Sequence, residues 1–207
     1  MKSQAVTSRY ESPLRAEQKA ATRRAILDAT GRLMQDGGLT ELGREQAHRV
    51  GAALRGVSPR TIYVSTLRRA RETAAIVSAH FPDVPVRAMR LLCEAVPTTI
   101  PRLPGFATPA RIRADRARAE AAFLKIFAPV RRSRVDVVVA HGNIIRFFVC
   151  RALGVPPITW VKMGSVHCSL TEILVEPSGY MRLRSFNDTG HLPRRMRTMS
   201  LAPLKQD

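Results

Sequence analysis

The chain has 207 residues, 45% of them hydrophobic, which is enough apolar material for the core of one α/β domain and too little length for two full domains. Its 34 Lys and Arg residues stand against 16 Asp and Glu residues, and the net charge of +18 favours anionic partners such as phosphoesters, nucleic acid or an anionic membrane surface. Aromatic residues make up only 5% of the chain and no apolar run approaches ~18 residues, which argues against stacking platforms for single-stranded nucleic acid and against a membrane span.

The amino-terminal end of the chain differs in composition from the middle. Residues 1–24 carry a surplus of basic residues without the apolar core of a signal peptide, so we predict a basic lead that is disordered or helical. Residues 25–198 form the predicted domain, and residues 199–207 form a tail. The Arg and Ser content of the lead keeps a mitochondrial location open as an alternative.

The cysteines indicate the redox compartment. They lie far apart and lack CxxC spacing: Cys93, Cys150 and Cys168. This pattern argues against a zinc site and against a disulfide framework. We therefore predict a protein of a reducing compartment, cytoplasmic in the first instance, that uses no metal and no cofactor.

The first half of the predicted domain alternates strands and helices. Residues 26–27 predict a short first strand before a glycine-marked loop. Thr40 is the expected N-cap of the next helix. Residues 61–65 (TIYVS) are a β-branched strand that runs directly into a helix with apolar residues at helical spacing. Another strand is expected near Val86.

The second half continues this alternation and ends in a hairpin. The predicted elements are a helix from Thr108 and Pro109, a strand at 135–140, a helix at 143–153, and strands at 169–175 and 180–186. The segment 135–140 (VDVVVA) is apolar enough for a central parallel strand buried on both faces. These elements predict a three-layer α/β/α sandwich with a mostly parallel sheet and one antiparallel edge.

Three polar residues follow predicted strands, where open α/β sheets gather their ligands. His141 lies between a strand and a helix start, so its ring and the following N–H groups suit an anion such as phosphate. Arg69 opens the helix after TIYVS, and its forked guanidinium suits a bidentate phosphate contact. Glu94 lies in apolar LLCEAV, where desolvation raises a carboxyl pKa and suits proton donation to a leaving oxygen. Each of them, taken alone, also fits a structural role.

Five segments resemble the histidine-phosphatase (phosphoglycerate-mutase-like) superfamily, and they occur in the order found in that family. They are LTELGREQA (39–47), STLRRARET (65–73), LLCEAVP (91–97), VVVAHGNIIRFFVCRALGVP (137–156) and NDTGHLP (187–193). Within the superfamily they are most similar to the mitochondrial protein Ser/Thr phosphatases of the phosphoglycerate-mutase-like group. The resemblance covers residues 26–198 and implies the sandwich fold and phosphomonoester hydrolysis.

The resemblance also implies a role for each candidate site residue. In the family, a histidine in an RHG motif attacks phosphorus, arginines and a second histidine hold the phosphoryl oxygens, and a carboxylate protonates the leaving group. By matching motifs, Arg69 is the phosphate-binding arginine and Glu94 is the catalytic acid. His141 is the second histidine, both catalytic and phosphate-binding, and Asn143 lies beside the phosphate.

The nucleophile position departs from the family pattern. ILDATG (26–31) takes the place of the first strand and RHG, so that Ala29 stands at the arginine and Thr30 at the histidine. A hydroxyl has a far higher pKa than an imidazole and needs an adjacent base, so we expect Thr30 to be inactive as a nucleophile. The remaining histidines lie outside any RHG context: His48, His80, His167 and His191. His167 replaces an amide of the resembled phosphatases in the same pocket, and Cys93 replaces the arginine before the acid.

Three functions follow from these observations. The first is a protein with the histidine-phosphatase fold that is inactive or impaired as a phosphatase and binds a phosphorylated protein or a small phosphoester. The second is an active phosphomonoester or protein Ser/Thr phosphatase whose nucleophile comes from elsewhere, or whose first 30 residues depart from the natural sequence. The third is a nucleic-acid-binding protein, which rests on charge alone. The oligomeric state is not predicted.

Overall fold

The computed structural model describes residues 37–199. Within this range the elements are α1 Glu41–Ala53, β1 Thr61–Ser65, α2 Arg68–Ser78, β2 Val86–Met89, α3 Pro109–Ile126, β3 Asp136–Val139, α4 Gly142–Ala152, β4 Leu170–Val175 and β5 Met181–Asp188. Short 3₁₀ helices cover Arg90–Leu92, Pro157–Lys162 and Arg194–Met196. The predicted lead at 1–24, the first strand at 26–27 and residues 200–207 of the tail lie outside the described residues.

Two sheets carry the strands. β2, β1 and β3 form a parallel sheet in that order, with Ile62 opposite Val86 on one side and Val137 on the other. β4 and β5 form the antiparallel hairpin that the sequence predicts, with Val175 opposite Met181 next to the turn. The predicted fold class, a mostly parallel sheet with an antiparallel pair and flanking helices, is confirmed.

Alternate side chains of the parallel strands face two different helical layers. Ile62 is fully buried and packs with Val50 of α1 and Val77 of α2. On the opposite face, Tyr63 packs against a second cluster that contains Phe123 of α3, and α4 contributes further aromatic and aliphatic residues to it. This period-2 alternation places the sheet between two helical layers.

The strand predicted at 135–140 differs from the expectation in two respects. β3 covers only Asp136–Val139, its side chains are half-buried, and Val135 is 46% exposed. The middle strand among residues 37–199 is β1, which has a strand on each side. Apolar composition indicates that a segment is a strand, whereas burial depends on which strands and helices lie beside it.

Capping residues begin the helices where the sequence predicts. The Thr40 hydroxyl accepts from the Gly43 N–H at 3.1 Å, and Thr108 with Pro109 begins α3 in the same way. Glu72 of α2 accepts a 2.7 Å bond from the Leu39 N–H, so the segment that leads into α1 is tied to α2. This bond makes the largest contribution to lowering the pKa of Glu72, and the side-chain bond from Arg68 makes the next largest. None of the helices between residues 37 and 199 combines the length and hydropathy that a bilayer span requires.

Candidate functional site

The predicted site residues lie at the carboxyl ends of three parallel strands. Arg69 is in the first turn of α2, which follows β1, and His141 comes shortly after β3. Glu94 follows β2 after a single 3₁₀ turn. The positive charge of Arg69 acts on both Glu94 and His141. The structure therefore brings these three residues together at one edge of the sheet.

His141 is a buried, neutral imidazole. It is 5% exposed, and its Nε2 atom lies 2.8 Å from the hydroxyl oxygen of Ser65 at the end of β1. Burial lowers the pKa of His141 to about 3, and the charges of Arg69 and Arg118 act in the same direction. The ring is therefore uncharged at neutral pH, and Ser65 holds its orientation. Sequence reasoning missed Ser65, because a serine that ends a strand carries no local signal of a partner on another strand.

Glu94 has the electrostatic environment of a proton donor. Removal of water by the surrounding protein raises the pKa of its carboxyl group. Hydrogen bonds from the backbone N–H groups of Ala95 and Asn143, with the charges of Arg69 and Arg146, oppose this effect without cancelling it. A carboxyl group that stays protonated nearer to neutral pH suits the protonation of a leaving oxygen.

A charged pair on α3 holds the loop that carries Glu94. Arg118 donates to the carbonyl oxygens of Cys93 at 2.6 Å and Glu94 at 2.9 Å, and also to Asp115 at 2.6 Å. Asp115 in turn accepts a 2.9 Å bond from the Val96 N–H. Sequence reasoning did not identify Arg118 or Asp115. The only local signal for this clamp was the spacing of an Asp and an Arg three residues apart on one helix.

Asn143 and Arg146 connect α4 to the same loop. The Asn143 amide donates to the Ala95 carbonyl at 3.0 Å, and its oxygen accepts from Arg146. Arg146 is 3% exposed, donates to the carbonyl of Met163 at 2.6 Å, and stacks on the ring of Trp160. Both ends of the Asn143 amide therefore bond to protein groups, and the phosphate-binding role implied for Asn143 stays a prediction.

Cys93 borders the same site. Its sulfur lies 3.1 Å from the Thr66 hydroxyl and 3.7 Å from that of Ser65, and Arg69 is one of its charged neighbours. Burial lowers the pKa of Arg69, whereas Glu94 and Cys93 raise it. Polar side chains at the end of β1 and after β2 therefore contact one another beside the Arg69 guanidinium.

His167 is a second imidazole near Arg69. Desolvation lowers its pKa, and the charge of Arg69 lowers it further. Its ring Nδ1 lies 3.0 Å from the hydroxyl of Thr198. The other histidines make different contacts. His48 lies in α1, the His80 ring lies against Gly51, and Nε2 of His191 lies 2.9 Å from the carbonyl oxygen of Cys168.

The nucleophile position is not part of the described structure. Thr30 and Ala29, where the resemblance places the family's histidine and arginine, lie outside residues 37–199. The sequence itself adds one fact that does not depend on alignment, since the first histidine of the chain is His48.

Comparison with known sequences identifies the family. A sequence profile described as "Histidine phosphatase superfamily (branch 1)" matches residues 9–97 and 101–189. The chain belongs to the histidine phosphatase superfamily. The family match includes the segments that carry Arg69, Glu94 and His141, and it begins at residue 9, whereas the motif resemblance begins at residue 26. Residues 9–47 contain no histidine, so no alignment of this segment can place a histidine at the nucleophile position.

Similar curated proteins are mitochondrial Pgam5 serine/threonine-protein phosphatases. The protein from Caenorhabditis elegans is 38% identical over 165 residues, which cover 75% of this chain and 58% of the relative. The human protein is 35% identical over 171 residues, which cover 79% of this chain and 59% of the relative. This member of the superfamily therefore spans less than two thirds of the length of these relatives.

Solved structures of the superfamily share the fold. A phosphoglycerate mutase from Plasmodium falciparum has a TM-score of 0.57 at 28% identity, covering 75% of this chain and 89% of that one. YhfR of Bacillus stearothermophilus has a TM-score of 0.60 at 25% identity, covering 76% and 88%. A mycobacterial glucosyl-3-phosphoglycerate phosphatase in complex with VO3 has a TM-score of 0.56 at 26% identity, covering 74% and 88%.

Proposed function

We propose that this chain binds phosphomonoesters, on a protein or on a small molecule, at the Arg69–Glu94–His141 site and that its hydrolytic activity is lost or strongly impaired. One observation carries the proposal. Arg69, Glu94 and His141 lie together at one edge of the sheet, while the part of the family match before His48, residues 9–47, contains no histidine.

Electrostatics supports the binding part of the proposal. Arg69, Arg118 and Arg146 put three guanidinium groups around the site, and His141 is neutral because of burial. A phosphate group offers several acceptor oxygens, and arginine binds such oxygens with paired, charge-assisted hydrogen bonds. VO3, a phosphate-like oxyanion, is bound by the mycobacterial phosphatase that shares this fold.

The chemistry of phosphomonoesters supports the impairment. Their uncatalysed hydrolysis is so slow that enzymes accelerate it by up to ~10²¹-fold. An enzyme without its catalytic residues retains an acceleration of roughly 10³ to 10⁴. Binding alone therefore cannot replace a missing nucleophile, and a threonine hydroxyl at position 30 is a poor substitute for imidazole.

An active phosphatase is the second candidate, and the raised pKa of Glu94 favours it. A protonated acid is useful only when a leaving group departs, so its retention fits turnover better than it fits binding. The similar Pgam5 proteins are named serine/threonine phosphatases, which makes a phosphorylated Ser or Thr side chain the first substrate class to test.

Hydrolysis and binding assays on the full chain separate the two candidates. We would measure turnover of p-nitrophenyl phosphate and of a phosphothreonine peptide, and binding of inorganic phosphate by calorimetry. The proposal expects phosphate binding without turnover, and a gain of turnover in the Ala29→Arg, Thr30→His double variant. Ordinary enzymatic turnover by the wild type that His141→Ala abolishes would establish the second candidate instead. Absence of both phosphate binding and turnover would contradict both candidates.

Nucleic acid binding and compartment stay predictions. The exposed arginines of α3 include Arg111, Arg113 and Arg116, and a salt-sensitive shift of the chain on polynucleotide would support the nucleic-acid alternative. The curated relatives are named mitochondrial, which keeps a mitochondrial location beside the predicted cytoplasmic one.

A further inference from the structure

An apolar cavity lies beside the loop that carries Glu94. It has a volume of about 240 Å³ and is formed by residues 98–107 together with Val96 and the first turn of α3. Large apolar side chains in its wall are those of Val96, Ile100, Leu103, Phe106 and Ile112. Phe106 is 38% exposed, so the cavity is open to solvent on this side. Pockets for small-molecule ligands commonly exceed ~300 Å³, so a cavity of this size suits one apolar side chain of a partner.

The cavity borders the candidate site through consecutive residues. Val96, which lines the cavity, follows Glu94 by two positions, so their Cα atoms lie at most about 7.6 Å apart. The Asn143 amide of α4 donates to the carbonyl of Ala95, between them, at 3.0 Å. From α3, Asp115 accepts from the Val96 N–H at 2.9 Å. The same two helices therefore fix the wall of the cavity and the backbone next to Glu94.

The next part of the cavity wall is fixed as well. The Thr98 hydroxyl oxygen accepts a 2.7 Å bond from the indole N–H of Trp160, which is 1% exposed. The Arg146 guanidinium lies 4.8 Å from the centre of the Trp160 ring. Because buried groups hold this wall before any partner binds, less conformational freedom is lost when a side chain enters the cavity.

Basic residues surround the cavity. The segment 97–118 contains five arginines and one acidic residue, Asp115. The Asp115 carboxylate accepts a 2.6 Å bond from Arg118, so its charge is compensated within α3. Arg102 and Arg113 are exposed, and each is next in sequence to a residue that lines the cavity. These two residues, which we call the basic rim, favour acidic groups on a partner.

The direction of α3 places its first turns at the same end of the strands as the site. α3 connects β2 to β3, and both strands run parallel to β1. A helix in such a crossover runs antiparallel to the strands, so it begins near their carboxyl ends. Arg131 and Arg132 are also exposed, but they follow α3 and lead into the amino end of β3. They lie at the opposite end of the strands from the site.

We propose that the cavity receives one apolar side chain of a phosphorylated polypeptide whose phosphoryl group is bound at the Arg69–Glu94–His141 site and whose acidic residues face the basic rim. This inference rests on the proposed phosphomonoester binding and selects a polypeptide over a small phosphoester as the ligand. An extended chain advances about 3.3 Å per residue. An apolar residue two to four positions from the phosphorylated residue therefore spans the distance from the site to the cavity.

Binding of synthetic peptides to the full chain, followed by fluorescence anisotropy, tests the cavity. Each peptide carries a phosphonate analogue of phosphothreonine, which resists hydrolysis, and has one leucine at a varied position among acidic residues. Leucine two to four positions away is expected to tighten binding by about tenfold relative to serine, because an apolar side chain leaves water. Ile112→Ser makes the cavity wall polar and should remove this gain. Its affinity for inorganic phosphate should stay within about twofold of wild type.

Matched charge variants test the basic rim. Arg102→Glu with Arg113→Glu should weaken binding of the acidic peptide by about fivefold or more. Arg131→Glu with Arg132→Glu makes the same change in net charge at the other end of the strands. Its effect should stay below about twofold, because at ~0.15 M salt exposed charges act over only about 8 Å.

The outcomes separate this inference from the proposed function. If wild type binds inorganic phosphate but leucine gives no gain at any position, or Ile112→Ser keeps the gain, the inference is wrong and the proposed function survives. If wild type binds neither phosphate nor the phosphonate peptides, both fail. Equal weakening by the two charge variants also overturns the inference, as does equally tight binding of an unphosphorylated peptide. A polynucleotide that displaces the peptide and needs the basic rim would assign this surface to nucleic acid instead.

Discussion

The Nε2 atom of His141 and the hydroxyl oxygen of Ser65 lie 2.8 Å apart, and this contact joins the ends of two adjacent parallel strands. The Ser65 oxygen also accepts from the Leu67 N–H at 3.2 Å, at the start of α2. A single hydroxyl thus connects His141 to the helix that carries Arg69. Ser65 is completely buried, so this connection is shielded from water.

The buried, neutral His141 makes folding stability pH-dependent. Its pKa is about 3 in the folded chain against 6.5 for the unperturbed group. As pH falls below 6.5, this histidine becomes protonated in the unfolded chain. In the folded chain it stays unprotonated until pH approaches 3. The free energy of unfolding should therefore decrease as pH falls through this window.

Urea denaturation between pH 8 and pH 4 tests this dependence. The slope should be smaller in His141→Gln than in wild type. His48→Gln, which changes an exposed imidazole, should keep the wild-type slope. Equal slopes for wild type and His141→Gln would show that His141 is not held neutral.

Glu94 should contribute a slope of the opposite sign. Burial raises its pKa above 4.5, so with rising pH the unfolded chain ionises first and the folded chain keeps its proton longer. The free energy of unfolding should then fall as pH rises from 4.5 through the folded pKa.

Glu94→Gln should remove this loss, so the variant gains stability relative to wild type between pH 5 and pH 8. Denaturation curves across that range provide the measurement. Asp83→Asn replaces an exposed carboxylate by an amide and serves as the control. If the stability difference between wild type and Glu94→Gln does not change over this range, the pKa of Glu94 is not raised.

The Arg118 clamp should stabilise the loop that carries Glu94. Arg118→Met removes three charge-assisted hydrogen bonds and leaves the Cys93 and Glu94 carbonyls without their donor. We therefore expect the free energy of unfolding to fall by about 2 to 4 kcal/mol. The Val96 amide, which donates to Asp115, should exchange its hydrogen faster. Arg116→Met, on the exposed side of the same helix, should change stability by less than about 0.5 kcal/mol. Equal losses in the two variants would show that the clamp contributes no specific stability.

Gly51 is required by a close contact between α1 and His80. A Cβ atom at Gly51 would lie 2.3 Å from the His80 ring, so the ring must move in Gly51→Ala. Alanine in a helix is otherwise more stable than glycine by about 1 kcal/mol. We therefore expect Gly51→Ala to stabilise the His80→Ala background by roughly this amount and to give no gain in wild type. A double-mutant cycle by chemical denaturation measures the coupling, and additive effects would contradict it.

The individual elements were largely predictable because their signals are local. Thr40 and Thr108 begin helices through hydrogen bonds to residues three positions away, and the TIYVS strand is recognisable from its own side chains. The strand at 135–140 was recognised as a strand for the same reason. Its place in the sheet could not be predicted, because the neighbours of a strand come from distant parts of the chain.

The sequence by itself determined the family, the order of strands and helices, and three of the residues that meet at the sheet edge, because motifs and periodicity need only nearby residues. Only the tertiary structure decided the polar contacts that give these residues their properties. Ser65 meets His141 across 76 positions, Arg118 meets Cys93 across 25, and His167 meets Thr198 across 31. Burial and the neighbouring guanidinium groups then set the pKa values of His141 and Glu94. Both depend on how distant segments pack, which no local pattern encodes.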